Sequence, residues 1–555
     1  MKKLFSVLLC ISMVAFAASC GNDPTGSGGD NGDGGSNNPG GNERPNPSVG
    51  DNELNRQFTD AYMSSHYLWN EEYNNTVKDF DLTYNYFLQN SLIQLYRSGV
   101  NLLDGYQYEA NTWRYYTYIE RYDAGRAPET TGKNMVRGFG MNVQTFNIDP
   151  VTGAAVLLVK YVYPGSPADA AGITRGTLIG KVNGQVLTEA NFSNYINDFV
   201  FPHTANITRA LGTVTANTEQ GTYWYNDGNI AVQTGSYYEN PIVFSQARLV
   251  RGKRIGYVVC VDFNSAYNQE LIDVFQTFQE KGVTDIILDL RYNGGGDVDA
   301  SALLASLAAS SHVKDNNQVF AYYRYNNRRM IEGGYDTDNY KTYPHTNFDY
   351  EQAHKYNFNF NTVYVITTAD ATSPASELLI NALKGIDVPV KIAGCNRTTG
   401  QNVGVEPITT PEPVKGYDYV LAPVTFQAYN AKGNSDYSNG FAPDITKDDY
   451  DTHFPVYDWG YIGYLADRDE ETGELTPTDE MVDSDYFLYI IDDIIGGNVK
   501  PGDFGSEGED DTENEVKAVA ASKGGKAGTL HVRKLVQPEK ADFRKRFMYL
   551  SQEVK

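Results

Sequence analysis

The stretch VTDIILDL (Val283 to Leu290) runs directly into RYNGGG (Arg291 to Gly296). The first part is a short apolar run of buried-strand length, and the second brings three glycines together. A strand that ends in Asp-Leu-Arg and meets three glycines is uncommon by chance. Glycine lets the backbone turn freely and approach other groups closely. The run reads either as a tight turn after a buried strand or as a place where backbone N–H groups are set against a reacting atom.

The pattern continues on both sides. RIGYVVCVDF (254–263) is mostly apolar, and NQELIDVFQTFQEKG (268–282) carries Leu271, Ile272, Phe275 and Phe278 on one helical face before stopping at Gly282. DASALLASLAAS (299–310) reads as a helix. VYVITT (363–368), ELLINALKG (377–385) and VPVKIAG (388–394) repeat the alternation. Continuous apolar strands separated by helices predict an α/β core with a mixed, largely parallel sheet covered on both faces. Residues 206–245 read as Thr/Tyr-rich strands, and YFLYIIDDIIGG (486–497) as a closing helix.

Farther upstream, RGFGMNVQTF (137–146) is a Gly-rich turn followed by an alternating strand, and AAVLLVKYVYPGSPADAAGITRGTLIGKVNGQVL (154–187) follows it. Pro164-Gly165-Ser166-Pro167-Ala168, Ala171-Gly172-Ile173, Gly176 and Val182-Asn183-Gly184 closely resemble a PDZ domain. Such a domain binds a peptide by adding it as a strand to a sheet edge, and a Gly-containing loop holds the terminal carboxylate. Gly138, Phe139, Gly140 and Met141 form the matching loop. The alternative is a small β-domain that only packs against its neighbour. Before it, ELNRQFTDAYMSSHYLW and YNYFLQNSLIQLYRSG place apolar residues at helical spacing, which predicts a Tyr-rich helical cap over residues 53–132.

The order of these pieces resembles the tail-specific, or C-terminal processing, serine peptidase family. The resemblance covers roughly residues 53–497, and its markers are Asp289 to Gly296 and the strand-corner-helix around Ser376-Glu377. It implies a core of the tail-specific peptidase type carrying a PDZ domain and a helical cap. It also implies that Gly294, Gly295 and Gly296 belong to an oxyanion hole, because amide attack needs preorganised N–H donors. The family's nucleophile is a serine three residues before the glutamate. Its general base is a lysine about two dozen residues later, neutral through burial. Here those positions hold Pro374 and Gln401, and no lysine lies between Lys391 and Lys415.

Ser373 therefore has two readings. It is either a displaced nucleophile or the N-cap of a helix with Pro374 at the first helical position. Ser376 would lie inside the first turn. Three functions follow: a family member that has lost catalysis and binds peptides or protein C-termini, a serine endopeptidase using Ser373 or Ser376 with an atypical base such as a distant His345 or His354, or a structural envelope component.

Bulk properties bound the rest. The chain has 555 residues, is 41% hydrophobic, and carries a formal charge of −25. That charge argues against nucleic-acid partners. Lys2 and Lys3 precede an apolar run too short to span a membrane, and Ala17-Ala18-Ser19-Cys20 resembles a lipoprotein cleavage site. Lipidation at Cys20 would anchor the protein without spanning, in a bacterial cell envelope and by expectation in its outer membrane, facing the periplasm or the surface. The expected organisation is a signal peptide (1–19), a flexible Gly/Asn-rich tether (20–52), the cap (53–132), the PDZ domain (133–205), the peptidase-like core (206–500), and an acidic mobile segment with a basic tail (501–555). Cys260 and Cys395 read as buried free thiols. No metal-ligand spacing or phosphate loop appears, so neither metal nor cofactor is expected.

Overall fold

The computed structural model describes residues 51–109, 112–125, 132–133, 135–200, 203–217, 222–367, 373–394, 397–446, 466–468, 475–477 and 486–497, and three short pieces at 528–529, 533–534 and 548–549. The leader, Cys20, the tether up to residue 50, Cys395 and residues 498–527 lie outside the described residues.

Helices occupy much of Asn52–Asn74, and a longer helix, α1, spans Tyr84–Arg97. Leu88, Leu92 and Leu95 of α1 are buried against Leu54, Met63 and Tyr67. The helical reading fails beyond Arg97. Tyr106–Glu109, Thr112–Arg114 and Tyr118–Asp123 are strands, and Tyr118–Asp123 pairs antiparallel with Tyr417–Ala422. Runs such as YIERYD favour a pleated, half-buried surface, and a distant strand supplies their partner. The apolar cluster under α1 includes Val403, Val405, Val420 and Val424, so this region shares its core with the C-terminal part of the body.

A second region contains β1 (Met141–Asp149), β2 (Ala154–Val162), β3 (Leu178–Val182), α2 (Ser193–Val200), β4 (Thr208–Asn217) and β5 (Thr222–Tyr225). The strands pair antiparallel in the order β5-β4-β3-β2-β1. The sheet therefore continues past the expected boundary at residue 205. Residues 208–225 belong here because β4 finds its partner in β3, not in the core.

The core sheet is built from β6 (Ile242–Val250), β7 (Lys253–Cys260), β8 (Asp285–Asp289), β12 (Val363–Ile366) and β13 (Val390–Ala393), in that order. Only β6–β7 is antiparallel; the other three pairings are parallel. Between these strands come α3 (Asn268–Glu280), β9 (Gly296–Asp297), α4 (Val298–Ala308), β10 (Val319–Tyr325), β11 (His345–Asn347) and α5 (Pro374–Gly385). Ile286 and Leu288 point to the side of α3, α4 and α5, and Ile287 points to the side of Tyr257, Tyr364 and the closing helix α6 (Tyr486–Ile495). That two-residue alternation explains why β8 is apolar throughout.

α4 and α5 are buried on nearly every side. A second sheet covers them, with β14 (Val403–Val405), β15 (Val424–Tyr429), β10 and β11 joined antiparallel. The largely parallel expectation thus holds for the first core sheet and not for the second. A helix as apolar as ALLASLA, whose Ser306 hydroxyl is satisfied by the Ala302 carbonyl at 2.6 Å, needs apolar neighbours all round, and the second sheet supplies them through Phe320, Tyr323 and Phe426.

Candidate functional site

β8 ends at the motif. Asp289 and Arg291 are both fully buried and paired, with Arg291 Nη2 2.7 Å from Asp289 Oδ2. Arg291 Nε also reaches Asp289 Oδ1 at 3.0 Å, and the Tyr257 hydroxyl donates to Asp289 Oδ2 at 2.6 Å. These residues fix the end of the strand. Tyr292 reaches out instead: the Arg175 guanidinium lies 4.9 Å from its ring, and Lys160 Nζ 5.1 Å, which ties the motif to the β1–β5 region.

Asn293 is the hinge of the site. Its Nδ2 donates to the Cys260 carbonyl at 3.1 Å. Its Oδ1 accepts from Gly295 N at 3.0 Å and from Ser373 Oγ at 2.9 Å. Nothing in the spacing of the sequence singled out Asn293, although it sits inside the motif. Gly295 and Gly296 have φ of 118° and 122°, and a Cβ on Gly296 would lie 2.1 Å from the Phe263 carbonyl oxygen. Both requirements make glycine necessary there. The Gly294 N–H donates to the Val261 carbonyl at 3.1 Å. The amides of Gly294 and Gly295 are thus bonded inside the protein, and β9 begins at Gly296.

Ser373 caps α5. Its Oγ accepts from Ser376 N at 3.3 Å, its backbone is extended, and Pro374 occupies the first turn. Proline tolerates that place because its missing N–H would have had no helical partner. Ser373 Oγ also lies 3.0 Å from Ser376 Oγ. Among the described residues, no lysine or histidine is hydrogen-bonded to either hydroxyl. His345 and His354 are exposed, packed edge-on to Tyr322 and stacked on Tyr350 respectively. Lys391 lies in β13, and its Nζ is 2.6 Å from Asp493. Ser373→Ala is expected to cost about 1 kcal/mol through the lost cap, measured by urea denaturation. A loss above about 3 kcal/mol would exceed a cap's worth and refute that role.

One turn further along α5, Glu377 is fully buried. It accepts from Gly400 N at 2.7 Å, from Gln401 N at 2.7 Å, and from the Thr398 hydroxyl. Burial pushes its carboxyl up to about 7, against the pull of those three donors. The Gln401 side chain is buried, with Nε2 3.3 Å from the Val403 carbonyl. Glu377 therefore clasps the 398–401 loop, and brings Ser373 and Gln401 to the same end of α5. Thr398 carried no sequence signal, because the clasp is purely tertiary. Cys260 is buried too, and burial raises its thiol to about 12, which makes it unreactive.

The other predicted site is loop 138–141. Gly140 has φ of 80°, and a Cβ there would lie 2.1 Å from Ser166 Cβ. Its carbonyl accepts from Tyr163 N at 2.8 Å, and the Phe139 carbonyl accepts from Ala168 N at 2.9 Å. Among the described residues the N–H groups of Phe139 and Gly140 have no acceptor. Phe139, Met141 and Val143 share an apolar cluster with Ile196 and Phe199 of α2.

Residues 254–447 match the family model Peptidase family S41. Over these residues the core is similar to S41 peptidases. A curated relative, the carboxyl-terminal-processing protease of Picosynechococcus sp., is 24% identical over 192 residues, which is 35% of this chain and 43% of the relative. The match thus spans less than half of that relative's length. A crystal structure assigned as an S41 protease from Bacteroides fragilis is 25% identical, covers 70% of this chain and 90% of its own, and superposes with a TM-score of 0.55. The S41 match takes in the glycine motif, Ser373, Glu377 and Gln401, whereas loop 138–141 lies outside it.

Proposed function

We propose that this protein is a cell-envelope lipoprotein that captures peptides or protein C-termini on an S41-type scaffold without hydrolysing them. Ser373 carries the reading. Its hydroxyl caps α5 and bonds to Asn293, while Pro374 stands where the resemblance expects the attacking serine. Gln401 stands where it expects the lysine, and a neutral amide cannot accept the serine proton usefully. Capture is supported by β1, a strand that leaves a Gly-rich loop with two N–H groups lacking acceptors among the described residues. The Picosynechococcus relative is named for processing carboxyl termini, and the same class of ligand is proposed here. The apolar leader ending at Cys20 supports the lipid anchor.

The test uses the full chain in detergent, incubated with unfolded protein, with peptides of apolar C-terminus, and with a serine-reactive fluorophosphonate. No turnover and no labelling are expected. Peptides with a free carboxylate should bind about tenfold more tightly than their amidated forms, the worth of one good charge-assisted hydrogen bond. Turnover that disappears in Ser373→Ala would overturn the reading in favour of an endopeptidase. Equal binding of amidated peptides would remove carboxylate capture.

A further inference from the structure

Three pieces of the distal segment pair with the body. β16 (Gly528–Thr529) lies antiparallel to β5, with Thr529 opposite Thr222. β17 (Arg533–Lys534) lies antiparallel to β1, with Arg533 opposite Asn147 and Lys534 opposite Phe146. β18 (Met548–Tyr549) lies parallel to β9, with Met548 opposite Gly296, and Tyr549 also faces Val405 of β14.

These places coincide with the two candidate sites. β1 leaves loop 138–141, and antiparallel addition to it directs the segment toward that loop. A peptide whose carboxylate is held by the loop arrives in the same direction. β9 begins at the last glycine of the motif, and β14 starts two residues after Gln401. In sheet order β18 stands between them. Neighbouring strands lie about 4.8 Å apart, so β9 and β14 flank a slot one strand wide, at roughly 10 Å. The charge fits as well: residues 528–549 hold six Lys and Arg against two Asp and Glu, in a chain of net charge −25.

We propose that Arg533–Lys534 and Met548–Tyr549 form a built-in competitor, intramolecular strand pieces that occupy both peptide-docking edges and that an external peptide must displace. The proposal rests on the peptide-capture reading of the same edges. A tethered segment acts at an effective concentration on the order of 1 mM. A free peptide of the same sequence with an intrinsic Kd on the order of 0.1 mM would then bind about tenfold more weakly than to the emptied edges.

The test compares the full chain with a variant carrying Arg533→Pro, Lys534→Pro, Met548→Pro and Tyr549→Pro. Proline cannot donate to a ladder. The probe is a fluorescent synthetic peptide of residues 528–549, read by anisotropy, with hydrogen exchange of amides 142–148 and 403–405 as the second readout. The variant should bind the probe about tenfold more tightly, and those amides should exchange faster. Faster exchange with unchanged affinity makes the segment a fixed edge strand and overturns the competitor role. Unchanged exchange overturns the docking itself. In either case, binding of an unrelated free-carboxylate peptide to the variant leaves the capture reading standing, and absence of that binding removes it too.

Discussion

Asp289→Ala is expected to destabilise the protein by about 3–5 kcal/mol, the cost of stranding a buried charge whose partner is removed. Arg291 is fully buried, and Asp289 receives its backbone N–H at 3.1 Å, its Nε at 3.0 Å and its Nη2 at 2.7 Å. The Tyr257 hydroxyl would lose its acceptor as well. Exposed pairs elsewhere, such as Arg328–Glu332, are worth about 0–1 kcal/mol. The contrast is measurable by urea denaturation of Asp289→Ala beside Glu332→Ala. A double change, Asp289→Leu with Arg291→Met, should recover much of the loss, because well-packed apolar residues can replace a buried ion pair. A loss below about 1 kcal/mol in Asp289→Ala would mean that water reaches the pair after all.

That pair shows how an unusual motif splits into parts. Asp-Leu-Arg holds the strand end, Tyr292 faces the β1–β5 region, Asn293 joins the glycine turn to Ser373, and the glycines permit the turn. The strand and the turn were legible, because burial period and backbone freedom are local properties. The Ser373 cap was legible for the same reason: Ser-Pro before an apolar run is a helix start. The Asn293 and Glu377 contacts were not, since each joins residues far apart in the chain. The helical reading fails at Tyr118–Asp123 because the partner, Tyr417–Ala422, lies some three hundred residues away, whereas Tyr106–Glu109 and Thr112–Arg114 pair with each other. β4 falls inside the range expected for the core (206–500), yet it pairs with β3. Strand addition by Gly528–Thr529, Arg533–Lys534 and Met548–Tyr549 is the extreme case: pairing through backbone groups leaves little trace in side-chain pattern.

Glu377 gives the second large effect, and its sign follows from burial. In the unfolded chain its carboxyl titrates near 4.5, and in the folded protein at about 7. Between those values the folded protein keeps a proton that the unfolded chain releases. Its contribution to stability is therefore fully present below about pH 4.5, falls as pH rises toward 7, and is flat above that. The difference amounts to about 3 kcal/mol. Buried Asp104, also raised to about 7 by burial, adds to the same slope in the unaltered protein. Glu377→Gln isolates the first contribution. Its stability should vary less with pH than that of the unaltered protein by about 3 kcal/mol between pH 4.5 and 7. It should also carry a pH-independent cost of about 1–3 kcal/mol, because its amide N–H₂ must face the N–H of Gly400 or Gln401. Urea denaturation at pH 5 and pH 7.5 reads both quantities. Identical pH slopes in the two proteins would show that Glu377 titrates like an exposed carboxyl, and the clasp on the 398–401 loop would then not be a buried one. The clasp also connects stability to the site: loosening it frees the loop that carries Gln401 toward β14, one wall of the strand-wide slot.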